Sequence, residues 1–455
     1  MIFDFLHVEE KGGALWRQIY RQIAEAADSG KLAPQSKLPS IRELAAWLGV
    51  SRSPVENAYD RLGLDGYIES RSRSGCFVAP RRRAEHSGAA VRDVSGRGIK
   101  YDFSPGRIDA RSADVAAWRR CLRSALNREA EIVSLGDPCG EPELREQLAA
   151  YAYRARGVRC GAGGIITASG TQQLLSLLCR ALGRAGQAAI ESPGFEQGER
   201  VLRDYGWHIS IIDESQDTAG LLGEADIFVE IGSKRSESSV SQRARRRRAL
   251  VAWARSRGSL IIEDDYNGEL RYLTRPIPAM QPLAPEHVVY IGSFSHLLLP
   301  SVRIAYMALP ERLAECCASA ARSYDPTSSK VEQLALADYI REGCLEKHLR
   351  RCRKIYLRKS RLLAAAIERS FGSALKRRLL ETSLSFAVSC RGAADEMKRA
   401  ALGCGVGVGC DGGEILLSFA GIPDEEIEHA VSSLRRAWDG MLPAFPAAER
   451  GRRNE

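Results

Sequence analysis

No stretch of this chain is apolar for the roughly 20 residues that a membrane helix needs, so a helical membrane protein is not expected. The opening residues Met1-Ile2-Phe3-Asp4-Phe5 lack the basic and then apolar order of a secretory signal, and a cytoplasmic location is expected. Cysteines are present but unpaired in pattern. Cys316-Cys317 is vicinal, the rest are scattered, and no Cys-x-x-Cys occurs. Metal-ligand spacing is therefore missing, and reduced, packed thiols are expected. Internal repeats are missing too. The formal net charge of +9 permits a polyanionic partner, but the first domain carries none of that excess. From Met1 to Pro80, Lys and Arg are matched by equal numbers of Asp and Glu. The surplus lies in Arg81-Arg82-Arg83, in Arg243 with Arg245 to Arg248, and between Arg350 and Arg361. Such runs are ordinarily solvated helix faces, and these are expected to be so.

What is present begins with helices. Leu15 to Ala27 carries Leu15, Ile19, Ile23 and Ala26 at helical spacing, and Gly30 closes it. Leu38-Pro39-Ser40-Ile41-Arg42-Glu43-Leu44 opens a short helix with Ser40 as N-cap, Glu43 completing a capping box and Gly49 as the stop. Ser53 is then expected to cap a third helix with Pro54 at its first position and Val55, Ala58, Tyr59 and Leu62 facing inward. Tyr67 to Ser70 and Cys76 to Val78 read as a two-stranded wing.

Leu38-Pro39-Ser40-x-Arg42, Leu48-Gly49-Val50-Ser51-Arg52, Ala58-Tyr59-x-x-Leu62 and Gly66-Tyr67 resemble, in order, the winged helix-turn-helix of GntR-type regulators over about residues 15–78. That resemblance implies duplex operator DNA as partner. By position it implies contacts from Arg42, Ser51, Arg52, Ser53 and the wing tip at Ser74 and Gly75. On the exposed side of the recognition helix, Asn57 suits adenine and Arg61 suits phosphate. Two departures stand out. The wing reads Arg73-Ser74-Gly75-Cys76 where Gly-Ser-Gly-Thr is usual, and Pro54 replaces a hydroxyl residue. The competing reading is a helical protein-interaction module.

A polar, aperiodic stretch over 80–100 reads as a basic linker between a domain at 1–79 and one at 101–440, with a charged tail at 441–455. From Tyr101 onward, short apolar runs alternate with helical ones. Among them are Ile165-Ile166-Thr167, Ile227-Phe228-Val229, Leu260-Ile261-Ile262, Val288 to Ile291 and Ile304 to Met307. The fold class expected is α/β: a mainly parallel sheet with helices on both faces and a smaller C-terminal αβ subdomain. A long helical run is expected from Val331 to Ser370.

Within this region stand Ser104-Pro105-Gly106, Gly136-Asp137-Pro138-x-Gly140, Ser169-Gly170-Thr171-Gln172, Glu191-Ser192-Pro193-Gly194-Phe195, Glu263-Asp264-Asp265-Tyr266, Ser293-Phe294-Ser295-His296 and Arg303. Together they resemble fold-type I aminotransferases, which use pyridoxal phosphate (PLP). The union of both parts resembles the MocR/GabR class of regulators. The resemblance implies that Gly170, Thr171 and Gln172, with Ser293, Ser295 and Arg303, hold the 5′-phosphate. It implies that Asp264 pairs with the pyridine nitrogen, that Tyr266 bonds the phenolic oxygen, and that Phe195 lies beside the ring. A head-to-tail homodimer is likewise implied.

Three features depart from an enzyme. His296 stands where the family's Schiff-base lysine belongs, and an imidazole forms no stable imine. The ring-side loop reads Ser233-Lys234-Arg235-Ser236-Glu237-Ser238, without the usual proline and glycine. Ile415-Leu416-Leu417-Ser418-Phe419 places leucine where an arginine usually grips a substrate carboxylate. The expectation is a non-enzymatic transcriptional regulator whose body dimerises and binds PLP or a related small effector non-covalently, with His296 as a further phosphate contact. The alternatives are a PLP-dependent aminotransferase with an accessory DNA-binding head, and an architectural dimer without a ligand.

Overall fold

A computed structural model describes residues 5–8, 13–71, 74–79, 98–192, 195–213, 220, 222–231, 240–265, 267–273, 278–295, 297–380, 382–389 and 393–442. The chain forms two compact units, 1–95 and 96–455.

In the first unit, α1 (Leu15–Asp28) turns Ile19, Ile23, Ala24 and Ala26 inward. Helix α2 (Ile41–Leu48) begins on the expected capping box: the Ser40 hydroxyl accepts from the Glu43 amide, and the Glu43 carboxylate accepts from the Ser40 amide at 2.8 Å. Gly49 ends it at φ +67°, a left-handed cap that glycine adopts without strain. Helix α3 (Arg52–Leu64) starts two residues earlier than its expected cap allows. Ser51 holds the N-cap position, so Ser53 and Pro54 lie inside the first turn. Proline is tolerated there because first-turn N–H groups have no intrahelical acceptor anyway. The Tyr59 hydroxyl donates to the Pro39 carbonyl at 2.9 Å, fixing α3 against the start of α2. Strands β1 (Ile68–Arg71) and β2 (Gly75–Val78) pair antiparallel in the register Ile68↔Val78 to Arg71↔Gly75.

The second unit opens with β3 (Tyr101–Phe103), α4 (Val115–Leu126), the short α5 (Glu129–Ile132) and α6 (Pro142–Arg156). A seven-stranded sheet follows, built from β4 (Ile165–Ala168), β5 (Gln187–Ser192), β6 (His208–Asp213), β7 (Ile227–Glu230), β8 (Leu260–Asp264), β9 (Val288–Ser293) and β10 (Ala305–Ala308). Its order is β4-β10-β9-β8-β7-β5-β6, and only β10 runs antiparallel to its neighbours. Side-chain alternation divides the core. Ile227, Val229 and Ile262 pack with α7 (Thr171–Leu182) and α8 (Glu196–Asp204) on one face. Phe228 and Ile261 pack on the other with Leu250 and Ala254 of α9 (Val240–Arg257). Strand order reverses between β5 and β7, which opens a crevice at their carboxyl ends.

The remaining helices are α10 (Glu311–Arg322), α11 (Lys330–Arg341) and α12 (Cys344–Phe371). The continuous helix expected over 331–370 is broken. Gly343 takes φ +69° between α11 and α12, a conformation that ends a helix. The C-terminal subdomain carries α13 (Ala394–Gly403), α14 (Ile427–Ala437), β11 (Arg377–Leu380), β12 (Ser385–Ser389), β13 (Val406–Asp411) and β14 (Glu414–Ser418). Its sheet takes a fifth strand from the unit's other end, because β3 pairs parallel with β13.

Candidate functional site

On the first unit, Arg42, Ser51, Arg52, Ser53, Asn57, Arg61, Ser74 and Gly75 are all exposed. They follow from the fold: α3 buries Val55, Ala58, Tyr59 and Leu62, which leaves Arg52, Ser53 and Asn57 on its outer side. No side chain caps α3, so its first amides remain open to an anion, whereas the capping box closes off those of α2. Arg61 lies toward the other end of the helix. Its guanidinium donates to Asp65 at 3.0 Å in the last turn of the helix. Sequence reasoning missed Lys37, which bridges to Phe77 and whose side chain lies against Gly75 of the wing. Only the folded hairpin brings that cation to the wing, and no local motif marks it. Residues 72–73 lie outside the described residues.

On the second unit, a cavity of about 410 Å³ opens at the crevice, with Thr171, Gln172, Phe195 and Asp264 among its walls. Gly170 ends the turn after β4 at φ +155° and leads into α7, whose first amides carry no side-chain cap. Any Cβ on Gly170 would come within 2.8 Å of Arg303 Nη2, so the guanidinium lies directly over the helix N-terminus. Arg303 Nη1 donates to Ser295 Oγ at 3.2 Å, and the Ser295 amide donates to Ser293 Oγ at 3.3 Å. Arg303 itself holds φ +49°, an uncommon backbone state for a side chain of its size. A helix N-terminus, a guanidinium and two hydroxyls therefore lie together beside the cavity wall at Thr171. Asp264, 6% exposed at the end of β8, lies on the same cavity. A phosphate monoester at one end and a protonated ring nitrogen at the other fit this donor and acceptor set. Tyr266, His296 and the loop at 233–238, with Lys234, fall outside the described residues.

The neighbours of Asp264 have other duties. Asp265 accepts from Arg156 Nε at 2.5 Å and from the Tyr290 hydroxyl at 2.8 Å. Glu263 accepts from the amides of Met280 and Gln281 at 2.7 and 3.1 Å. Burial pushes the Glu263 carboxyl up to about 7, against the pull of Arg247.

Two charge runs expected to be solvated are partly internal. Arg246 donates to Glu191 at 2.5 Å and Glu230 at 2.7 Å, and Arg247 lies 3.6 Å from Glu263. These carboxylates end β5, β7 and β8 on the α9 face, directly behind the crevice. Further on, Lys359 is 1% exposed and bonded to Asp109 and to the Ala420 carbonyl at 2.9 Å. Buried acids claimed these cations, and a run of like charges carries no sign of that in sequence.

Residues 15–78 match the family described as bacterial regulatory proteins, gntR family, and residues 105–226 match aminotransferase class I and II. The chain is 30% identical over 480 residues to the probable rhizopine catabolism regulatory protein MocR of Rhizobium meliloti, covering 96% of this chain and 97% of that one. It is 31% identical over 352 residues to the HTH-type pyridoxine biosynthesis transcriptional regulator PdxR of Corynebacterium glutamicum, covering 74% and 76% of the two chains. Among solved structures, the kynurenine aminotransferase of Pyrococcus horikoshii superposes with a TM-score of 0.66 at 21% identity, over 76% of this chain and 92% of that one. This last likeness concerns the fold alone.

Proposed function

The chain belongs to the HTH-type transcriptional regulators related to MocR, and from that premise we propose that its aminotransferase-like unit is a sensor that holds PLP without a covalent bond. Its relatives are regulators built from a gntR-family winged helix and an aminotransferase-like domain, so regulation rather than amino-group transfer is the activity of the family. The grouping of Gly170, Arg303 and Ser295 at the α7 N-terminus, beside the cavity that Thr171, Gln172 and Asp264 line, carries the sensor reading. Thr171 and Gln172 supply amides to the phosphate, and Ser293 supports Ser295. Asp264 keeps the ring nitrogen protonated, and Phe195 closes one side. When bound, PLP supplies an electron-withdrawing ring and an aldehyde. His296 offers no amine to that aldehyde, so the chain retains the ligand through charge and hydrogen bonds. A homodimer presents two α3 helices to paired operator half-sites, with Arg42, Ser51, Arg52, Ser53 and Asn57 at the DNA and Ser74 and Gly75 of the wing beside them.

The test is spectroscopic. Titrating the full chain with PLP is expected to give saturable binding and no pyridoxyl label on the protein after borohydride. A label mapped to a lysine such as Lys234 overturns non-covalent retention, and absence of any binding overturns the sensor.

A further inference from the structure

The cavity lined by Thr171 and Asp264 is also walled by the C-terminal sheet, through Leu380, Cys410, Asp411 and Leu416. Alternation along β14 sends Ile415 and Leu417 into the main core and turns Leu416 to the opposite face. Register places Ala387 of β12 and Gly409 of β13 beside Leu416, and Leu380 of β11 joins them in a small cluster of buried methyl groups. Leu380 and Leu416 both line the cavity. The wall is also tight. A Cβ on Gly409 would meet Pro105 Cδ at 2.5 Å and Leu416 Cβ at 3.1 Å. Among the described residues the lining includes no Lys or Arg, while Asp264, Asp411 and Glu196 contribute carboxyl groups. By register Arg378 shares the sheet face of Leu416, but its guanidinium is bonded to Glu414 at 2.8 Å.

A carboxylate pressed against leucine methyls loses its water and finds no countercharge, whereas an alkyl chain gains by the same burial. Resting on the PLP-sensor reading above, we infer that the effector is an amine-derived PLP conjugate with an aliphatic tail and no carboxylate. The phosphate sits at Gly170 and Arg303, and the tail lies on Leu380 and Leu416. Amino acid conjugates are selected against because the described residues of this wall offer them no cation.

Two stable probes differ only in that carboxylate: N-(5′-phosphopyridoxyl)-L-leucine and N-(5′-phosphopyridoxyl)-3-methylbutylamine. Calorimetric titration of the full wild-type chain is expected to give binding at least about tenfold tighter for the amine conjugate, the scale of one unpaired buried charge. Leu416→Arg is expected to narrow or invert that ratio. Should this variant not fold, the wild-type pair decides alone. Equal affinity, or preference for the leucine conjugate, overturns the inference and leaves the PLP sensor standing. Binding of neither probe, nor of PLP itself, overturns both.

Discussion

Gly170 has a task no other residue type performs as well. Its φ of +155° is one that side-chain-bearing residues rarely adopt, and any added Cβ would meet the Arg303 guanidinium at 2.8 Å. Gly170→Ala is expected to push Arg303 off the helix N-terminus and weaken PLP binding by about tenfold or more, measured by fluorescence titration, because one charge-assisted partner is lost. His348 offers a test of a different kind. It is 1% exposed, its Nε2 lies 2.7 Å from the Leu297 carbonyl, and Arg351, Asp114 and Cys352 are its charged or titratable neighbours. Burial, with help from Arg351, holds its pKa below the ordinary value, so the folded chain binds this proton less readily than the unfolded chain. Its contribution to stability is therefore full above about pH 6.5 and is lost as pH falls toward the folded value. Thermal midpoints across pH 5 to 8 are expected to fall less steeply on the acid side in His348→Gln than in the wild type. Parallel curves for the two chains would contradict the assignment. At this scale the sequence was legible where a motif fixes backbone geometry, as at Ser169-Gly170-Thr171. It was opaque at Lys37 and Lys359, whose partners come from distant segments.

Among the elements, α9 shows how charge patterning misleads. Its arginine run covers several sides of the helix, so periodicity does not reveal which cations face the sheet. Arg246 and Arg247 do, because β5, β7 and β8 end in buried carboxylates. Arg246→Met is expected to destabilise the second unit by about 3–5 kcal/mol, the cost of leaving a buried acid unpaired. Denaturant unfolding with an unchanged m-value is the check, and a loss below about 1 kcal/mol would mark the pair as superficial. Helix α3 sorts its own arginines. Arg52 is exposed beside the uncapped N-terminus, while Arg61 is held by Asp65. Arg52→Ala is expected to weaken operator binding by roughly tenfold or more, and Arg61→Ala by much less. Equal losses in anisotropy titrations would place Arg61 in the interface as well. Capping signals read cleanly at α2, where Ser40 and Glu43 are local partners. The short strand β3 did not, since three residues hold no period and its partner β13 lies some three hundred residues away in the chain.

For the whole molecule, two units have separate cores, one built on the gntR-family winged helix and the other on the aminotransferase-like fold. The winged helix was recognisable because its signals are local caps and turns. The larger fold was recognisable as alternating strands and helices, while strand order and the pocket's wall from the C-terminal sheet depend on long-range register. Residues 1–80, which include the whole winged helix, carry no surplus of positive charge, so base and shape readout must supplement phosphate attraction. Paired half-sites require a two-fold particle, and light scattering of the full chain is expected to give twice the monomer mass. The most direct measurement of the account is nuclease footprinting of the full chain on its own upstream DNA at physiological salt, run beside an amino-group transfer assay with PLP. The expected result is protection of two half-sites, reduced in Arg52→Ala, with no transfer. Steady transfer from an unmodified chain that protects no DNA would contradict it.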